Sequence, residues 1–188
     1  MAKTTRKGLN EFMMETADRP FADEGPAWYA VHTRNQHEAL VESDLQARGL
    51  EVVVPRITVR SRRRDRFKLL EIPLFSCYMF VSTEMDLENY NAIVRHRGVV
   101  CIVRTKGYCI PVPAETISSI RSMVECGKAV YPWPGLAPGR RVRVVAGFLA
   151  GVTGTLRRKS GKRFLAVGVE LIGQFVAVEL DKEVDLVS

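Results

Sequence analysis

CGKAVYPWPGLAPG, residues 126–139, decides the architecture of this chain. Pro132, Pro134 and Pro138 are interleaved with Gly127, Gly135 and Gly139. That density of residues without a backbone donor or without a side chain blocks regular structure and predicts a linker over 126–138. The chain is thereby divided unequally. Residues 28–125 suffice for one mid-sized domain and residues 139–188 for a small one.

Upstream of the linker the elements follow from periodicity and punctuation. Trp28 to His32 reads as a strand. Asn35 with Glu38 three residues on has the spacing of an N-cap pair opening a helix, whose apolar side carries Val41 and Leu45 and whose stop is Gly49. Glu51 to Val54 and Arg56 to Arg60 are β-branched runs punctuated by Pro55, and Phe67 to Ile72 returns after the polar turn Ser61 to Arg66. This is a hairpin with a basic tip. Leu74 to Val81 is an apolar run of strand length. Leu87, Tyr90 and Val94 space a second helix closed by Gly98, and Val99 to Val103 is a further buried strand. Pro113 opens a third helix with the stripe Ile117, Ile120, Val124. The resulting order, β-α-β-β-β-α-β-α, predicts an α+β domain. Residues 1–27 are polar and lack an apolar period, which predicts a flexible tail.

Downstream, short β-rich runs alternate with turns at Ala146-Gly147, Ser160-Gly161 and Ile172-Gly173 and never show a helical period, which predicts a small barrel.

Composition narrows the function. Apolar residues at 46% and charged residues at 26% are those of a folded globular protein. A net charge of +7 favours polyanionic partners. No apolar run approaches the ~20 residues that span a bilayer, and Met1 to Asn10 leads into Glu11 and Glu15 instead of a signal core. The expected location is cytoplasmic, with no membrane partner. Cys77, Cys101, Cys109 and Cys126 form no CxxC pair and have no histidine at a ligand spacing, so no metal and no cofactor are expected. Cys77 and Cys101 would serve a thiol-based redox regulator only if nearby positive charge lowered a thiolate pKa. His32, His37 and His96 are the only histidines. No Ser-His-Asp set, phosphate loop, HExxH or dinucleotide fingerprint accompanies them, so no enzyme is expected.

Two basic runs remain. Arg56, Arg60, Arg62, Arg63, Arg64, Arg66 and Lys68, interrupted only by Asp65, crowd positive charge onto the hairpin. Such a run either solvates a tip or attracts phosphate, and Arg62, Arg63 and Arg64 are its candidate nucleic-acid contacts. Arg157, Arg158, Lys159, Lys162 and Arg163 form a second basic hairpin in the barrel.

Trp28-Tyr29-Ala30-Val31, Pro73-Leu74-Phe75-Ser76-Cys77-Tyr78-Met79-Phe80-Val81 and Gly98-Val99 together resemble the N-terminal domain of the NusG family, over Trp28 to about Glu125. Pro138-Gly139-Arg140-Arg141-Val142-Arg143-Val144, followed by Gly147 and Gly154, resembles the KOW motif of the family's C-terminal domain. The resemblance implies a ferredoxin-like α/β sandwich (the NusG N-terminal domain) joined to an SH3-like β-barrel. The long Arg56 to Ile72 hairpin is similar to that of specialised members, RfaH and the polysaccharide-operon antiterminators.

The resemblance also implies roles. Phe75, Tyr78 and Phe80 match the patch that binds the β′ clamp helices of RNA polymerase, with Tyr78 and Phe80 on one face of a strand. Arg34, His96 and Arg97 match positions that read the non-template DNA strand in the elongation complex. Leu149, Val152 and Ile172 match barrel positions that grip a ribosomal protein or Rho. The implied activity is that of a monomeric transcription elongation factor that promotes processive elongation and antitermination of a specific operon. The alternative is a KOW-type RNA-binding, ribosome-associated protein. The chain departs from the family in two places. Ser76-Cys77 replaces a turn-forming Pro-Gly or Pro-Asn, which allows the following strand to begin earlier. Asn89-Tyr90-Asn91 replaces the histidine-threonine motif with which RfaH touches the polymerase gate loop.

Overall fold

A computed structural model describes residues 25–60, 69–133, 139–181 and 186–187. The expected tail lies almost wholly outside these residues, as does the hairpin tip with Arg62, Arg63 and Arg64. Strand β1 (Pro26–Thr33) begins two residues ahead of Trp28 and runs through the middle of the first domain. It pairs antiparallel with β5 (Tyr78–Glu84) on one side and β6 (Val99–Ile102) on the other, and β2 (Glu51–Val53) lies beyond β5. The order is β2-β5-β1-β6.

Successive side chains of a strand point to opposite faces, so this register sorts the core into two layers. Tyr29, Val31, Met79 and Val81 share one face with Val41 and Leu45 of helix α1 (Glu38–Ala47) and Ile93 of helix α2 (Leu87–Val94). Gly98 permits that packing: a Cβ there would meet Val41 Cγ2 at 2.7 Å. Ala30 and Phe80, directly opposite each other across β1 and β5, face the other way. They join Ile117, Ile120 and Met123 of helix α3 (Ala114–Glu125). α1 buries the expected Val41 and Leu45 and α3 the expected Ile117 and Ile120, whereas α2 buries Ile93 and leaves the expected Leu87 exposed and Tyr90 and Val94 half-buried; α3 lies across the sheet from α1 and α2.

Strands β3 (Arg56–Arg60) and β4 (Leu69–Pro73) form the expected hairpin, in the register Ile57↔Ile72 and Val59↔Leu70. A two-residue pair, β7 (Arg104–Thr105) and β8 (Tyr108–Cys109), precedes α3.

The strands of the second domain are β9 (Val130–Trp133), β10 (Arg140–Val144), β11 (Thr153–Lys159), β12 (Lys162–Val169), β13 (Gln174–Leu180) and β14 (Leu186–Val187). They form one antiparallel sheet in the order β14-β10-β11-β12-β13-β9. Val142, Val144, Leu165, Val167, Val176 and Val178 are among its buried residues. Strand β9 falls inside the segment that the prolines predict as linker. Its residues pair with β13, Trp133 opposite Phe175 and Pro132 opposite Val176. The reason is position: β9 is an edge strand, where a proline can leave its missing donor on the unpaired side. Residues 134–138 lie outside the described residues.

The two domains share a core. α3 packs on β1 with one side and on β11 and β12 with another. Buried residues from Phe75 and Phe80 through Ile120 to Val167 belong to one cluster. Ser119, buried on α3, accepts a hydrogen bond from the Thr153 N–H at 3.3 Å.

Close approach is most acute at Gly168, where a Cβ would lie 2.2 Å from Phe175 Cδ1 and 2.6 Å from the Gln174 carbonyl oxygen. Gly168→Ala is therefore expected to destabilise the barrel by about 1–3 kcal/mol, the usual cost of overpacking. Chemical denaturation measures it, and an unchanged midpoint would contradict the close approach.

Candidate functional site

The aromatic candidates are set by a turn between β4 and β5. The Leu74 N–H donates to the Pro55 carbonyl at 2.7 Å and the Tyr78 N–H to the Phe75 carbonyl at 3.1 Å, which folds 74–78 back on itself. Cys77 takes the left-handed conformation, with φ of 63°. The strand does not begin earlier: Ser76-Cys77 keeps a turn although neither residue favours one. The cause is tertiary. The Cys77 N–H donates to Glu38 Oε1 at 2.9 Å, and its carbonyl accepts from the Thr33 N–H at 2.8 Å. Glu38, buried in the first turn of α1, thus holds the turn from outside instead of capping its own helix with Asn35. A cysteine in this conformation costs about 1–2 kcal/mol that glycine avoids, offset in part by the freedom glycine loses on folding. Cys77→Gly is expected to stabilise the protein by about 0.5–1 kcal/mol in equilibrium denaturation. A loss of stability would show that the thiol side chain contributes more than the turn costs.

Phe75 and Phe80 meet edge to face, ring centroids 5.8 Å apart, and both are buried. Tyr78 is half-buried and stacks on His32 across β1, centroids 4.9 Å apart and planes 20° from parallel. Cys101 of β6 stands opposite His32 on its other side. Tyr78, His32 and Cys101 thus form a half-buried row across three strands, and Phe75 and Phe80 lie buried beside Tyr78 in the same cluster.

At the base of the basic hairpin, Arg56 forms a two-pronged ion pair with Glu42 of α1, with Nη1 3.3 Å from Oε1 and Nη2 on Oε2. That hydrogen bond raises the guanidinium pKa, burial opposing it. Bidentate pairs fix geometry, so Arg56 anchors the hairpin to the first domain. Arg60 is exposed.

Arg34 and Arg97 are both exposed, and the Arg34 N–H donates to the Gly98 carbonyl at 2.8 Å, which brings the β1–α1 turn against the turn before β6. His96 lies between them but is buried. Its Nδ1 accepts from the Gly98 N–H at 3.0 Å, so Nε2 carries the proton and donates to Asp44 Oδ2 at 2.8 Å. Both ring nitrogens are committed to bracing the turn that carries Arg97. Asn89 and Asn91 are likewise engaged locally, their side-chain amides donating to the Glu84 and Leu87 carbonyls.

In the barrel, Leu149 and Val152 are buried and Ile172 is half-buried. The residue presented by the same loop is Phe148, 76% exposed, with the Lys128 ammonium 5.7 Å from its ring centroid. A signal for it exists in the sequence: the two large apolar residues Phe148 and Leu149, adjacent between Gly147 and Gly151, cannot both point inward from so tight a turn. The four cysteines are free thiols, and burial pushes the Cys109 thiol pKa up, with Arg104 opposing. No described helix is long and apolar enough to cross a membrane.

A family profile described as "NusG: Transcription termination factor nusG" matches residues 26–121, just over half of the chain. The chain belongs to the NusG family. Among curated NusG-family proteins, the transcription termination/antitermination protein NusG of Lactococcus lactis is 27% identical over 167 residues, covering 82% of this chain and 89% of that protein. NusG of Borreliella burgdorferi is 24% identical over 174 residues, covering 82% and 95%. The solved structure "Domain interaction in Thermotoga maritima NusG" superposes with a TM-score of 0.51 at 22% identity, over 82% of this chain and 93% of that one, a likeness of fold. The NusG sandwich followed by a KOW-like β domain is thus the architecture of this chain, and its place is among transcription termination and antitermination factors.

Proposed function

We propose that this NusG-family chain is a non-catalytic elongation factor of the cytoplasm. It binds RNA polymerase at the β′ clamp helices and promotes processive elongation through one target operon. The observation that supports this most is the turn at 74–78. Despite Ser76-Cys77 it is held by Glu38 so that Tyr78, stacked on His32, reaches the surface at the position the family uses for polymerase. Aromatic side chains on a rigid strand make good interface anchors because little entropy is lost when they are covered. A factor bound at the clamp would hold it closed and shorten pauses without any chemistry of its own.

Arg34 and Arg97 flank the same domain and suit the non-template strand, since guanidinium groups both stack on unpaired bases and pair with phosphate. Phe148 of the barrel loop, more than Leu149 or Val152, suits a protein partner such as a ribosomal protein or Rho. Chromatin profiling of the tagged protein beside polymerase tests the operon-specific reading: one occupied locus supports it, and occupancy of all transcribed genes overturns it.

Changing Arg62, Arg63 and Arg64 together to alanine is expected to weaken binding to single-stranded DNA and to flatten its salt dependence, by about 0.7 in log–log slope for each phosphate that is no longer neutralised. Titrations at several salt concentrations decide this. Parallel slopes with equal affinity would make the hairpin a solvated tip.

A further inference from the structure

A cleft of about 480 Å³ opens between the leading turn of α3 and the outer face of the barrel. Val112, Pro113 and Thr116 form one wall. The other wall is built by strand register. Outward-facing positions run from Arg141 on β10 through Thr155 and Arg157 on β11 and Ala166 and Gly168 on β12 to Phe175 on β13 and Trp133 on β9. Cations therefore stand at one side, aromatic rings at the other, and small residues make the floor between them. Gly168 is what keeps that floor flat, because Phe175 lies directly over it. Neighbouring strands are about 4.8 Å apart, so Arg157 on β11 lies two strand spacings, about 10 Å across the sheet, from Phe175 on β13, and Arg141 on β10 lies three.

This is the arrangement that a nucleotide unit requires, with a π-face for the base and guanidinium groups for the phosphate. One carboxylate, Glu170, lines the cleft against the two arginines. The positive row continues past the cleft along β11 to Lys159, whose ammonium stands 5.7 Å from the Trp133 ring centroid. A single mononucleotide has no phosphate to offer this outer cation, whereas a continuing strand does. Of the other cations of that hairpin, Lys162 pairs with Glu179 and Arg163 donates to the Asp181 carbonyl. We propose that this cleft binds single-stranded nucleic acid, with one base against Trp133 and Phe175 and its phosphates at Arg141 and Arg157. The site needs both domains, since α3 supplies one wall and the barrel the other, and it does not depend on the polymerase reading.

The full chain carries two tryptophans, so Trp28→Phe leaves Trp133 as the only tryptophan fluorophore. That variant is titrated with an oligouridylate of about twelve nucleotides, a length within the range a single binding module occupies. The expected result is saturable quenching that weakens as salt rises. Exposed Arg141, changed to Gln, should weaken binding several-fold and reduce the salt slope by about 0.7, with circular dichroism unchanged. Trp133→Leu, followed by anisotropy of a labelled oligonucleotide, should weaken binding by at least about fivefold. Binding of the oligonucleotide without quenching, or an Arg141→Gln slope equal to that of the parent, overturns the assignment. Displacement of the oligonucleotide by millimolar ADP, with no gain in affinity as the strand lengthens, overturns the strand in favour of a free nucleotide.

Discussion

Phe80→Ala is expected to cost about 3–5 kcal/mol of folding stability, the range for emptying a buried aromatic site. Phe80 is fully buried on β5, faces Ala30 and Val53 across its two neighbouring strands, and closes edge to face on Phe75. Removing the ring leaves a cavity between the sheet and α3 that neither can fill without moving the other. α3 is also tied to the barrel through Ser119 and the shared core, so relaxation of the helix toward the gap would loosen its packing on β11 and β12. A loss of this size is a large part of the ~5–15 kcal/mol that holds a typical domain folded. For a chain of this length it corresponds to a drop of roughly 6–20 °C in the thermal midpoint. Calorimetry or thermal circular dichroism measures it. A shift equivalent to less than about 1 kcal/mol would mean that the site collapses freely and that the sheet and α3 are not packed as described.

Tyr78→Ala is expected to do the opposite: to leave the fold nearly intact and to weaken polymerase binding about 30-fold or more, since truncating a central interface aromatic costs ~2 kcal/mol or more. Tyr78 is half-buried at the edge of the core cluster and stacks on the His32 ring, so its removal forfeits one stacked pair, worth about 0.5–1.5 kcal/mol, and empties a half-exposed site instead of a closed interior one. Tyr78 and Phe80 share a face of β5, and the contrast follows from position along it: Phe80 is flanked by β1 and β2, whereas Tyr78 is the first residue after the turn and has a partner only on β1. Phe75, buried beside Phe80, is unsuitable as an interface probe, because a loss of binding in Phe75→Ala would follow from damage to the core alone. A Tyr78→Ala protein that unfolds several degrees early would show that this ring too belongs to the core.

What could be read in the sequence is what depends on neighbours along the chain. The helices of the first domain follow from apolar spacing at Val41 and Leu45 and at Ile117 and Ile120, and the barrel follows from glycine-marked turns at even intervals. What could not be read depends on partners far away. Val130–Trp133 has the composition of a linker and becomes a strand only because β13 offers it an edge. Cys77 turns because Glu38, thirty-nine residues earlier, accepts its N–H. His96 has the sequence context of an exposed basic turn, yet Asp44 and Gly98 draw it inside, leaving Arg34 and Arg97 as the surface cations. In the barrel loop the burial of Leu149 and the exposure of Phe148 are decided by a turn too tight for both to face inward.

The central claim, that the row led by Tyr78 seats this NusG-family chain on RNA polymerase, is tested most directly by titrating the purified protein onto reconstituted elongation complexes. The wild type and Tyr78→Ala are compared at equal folded fraction. Saturable binding by the wild type and a loss of about 30-fold or more in the variant is the result expected. Equal binding by the two proteins, or no binding by the wild type, would contradict it.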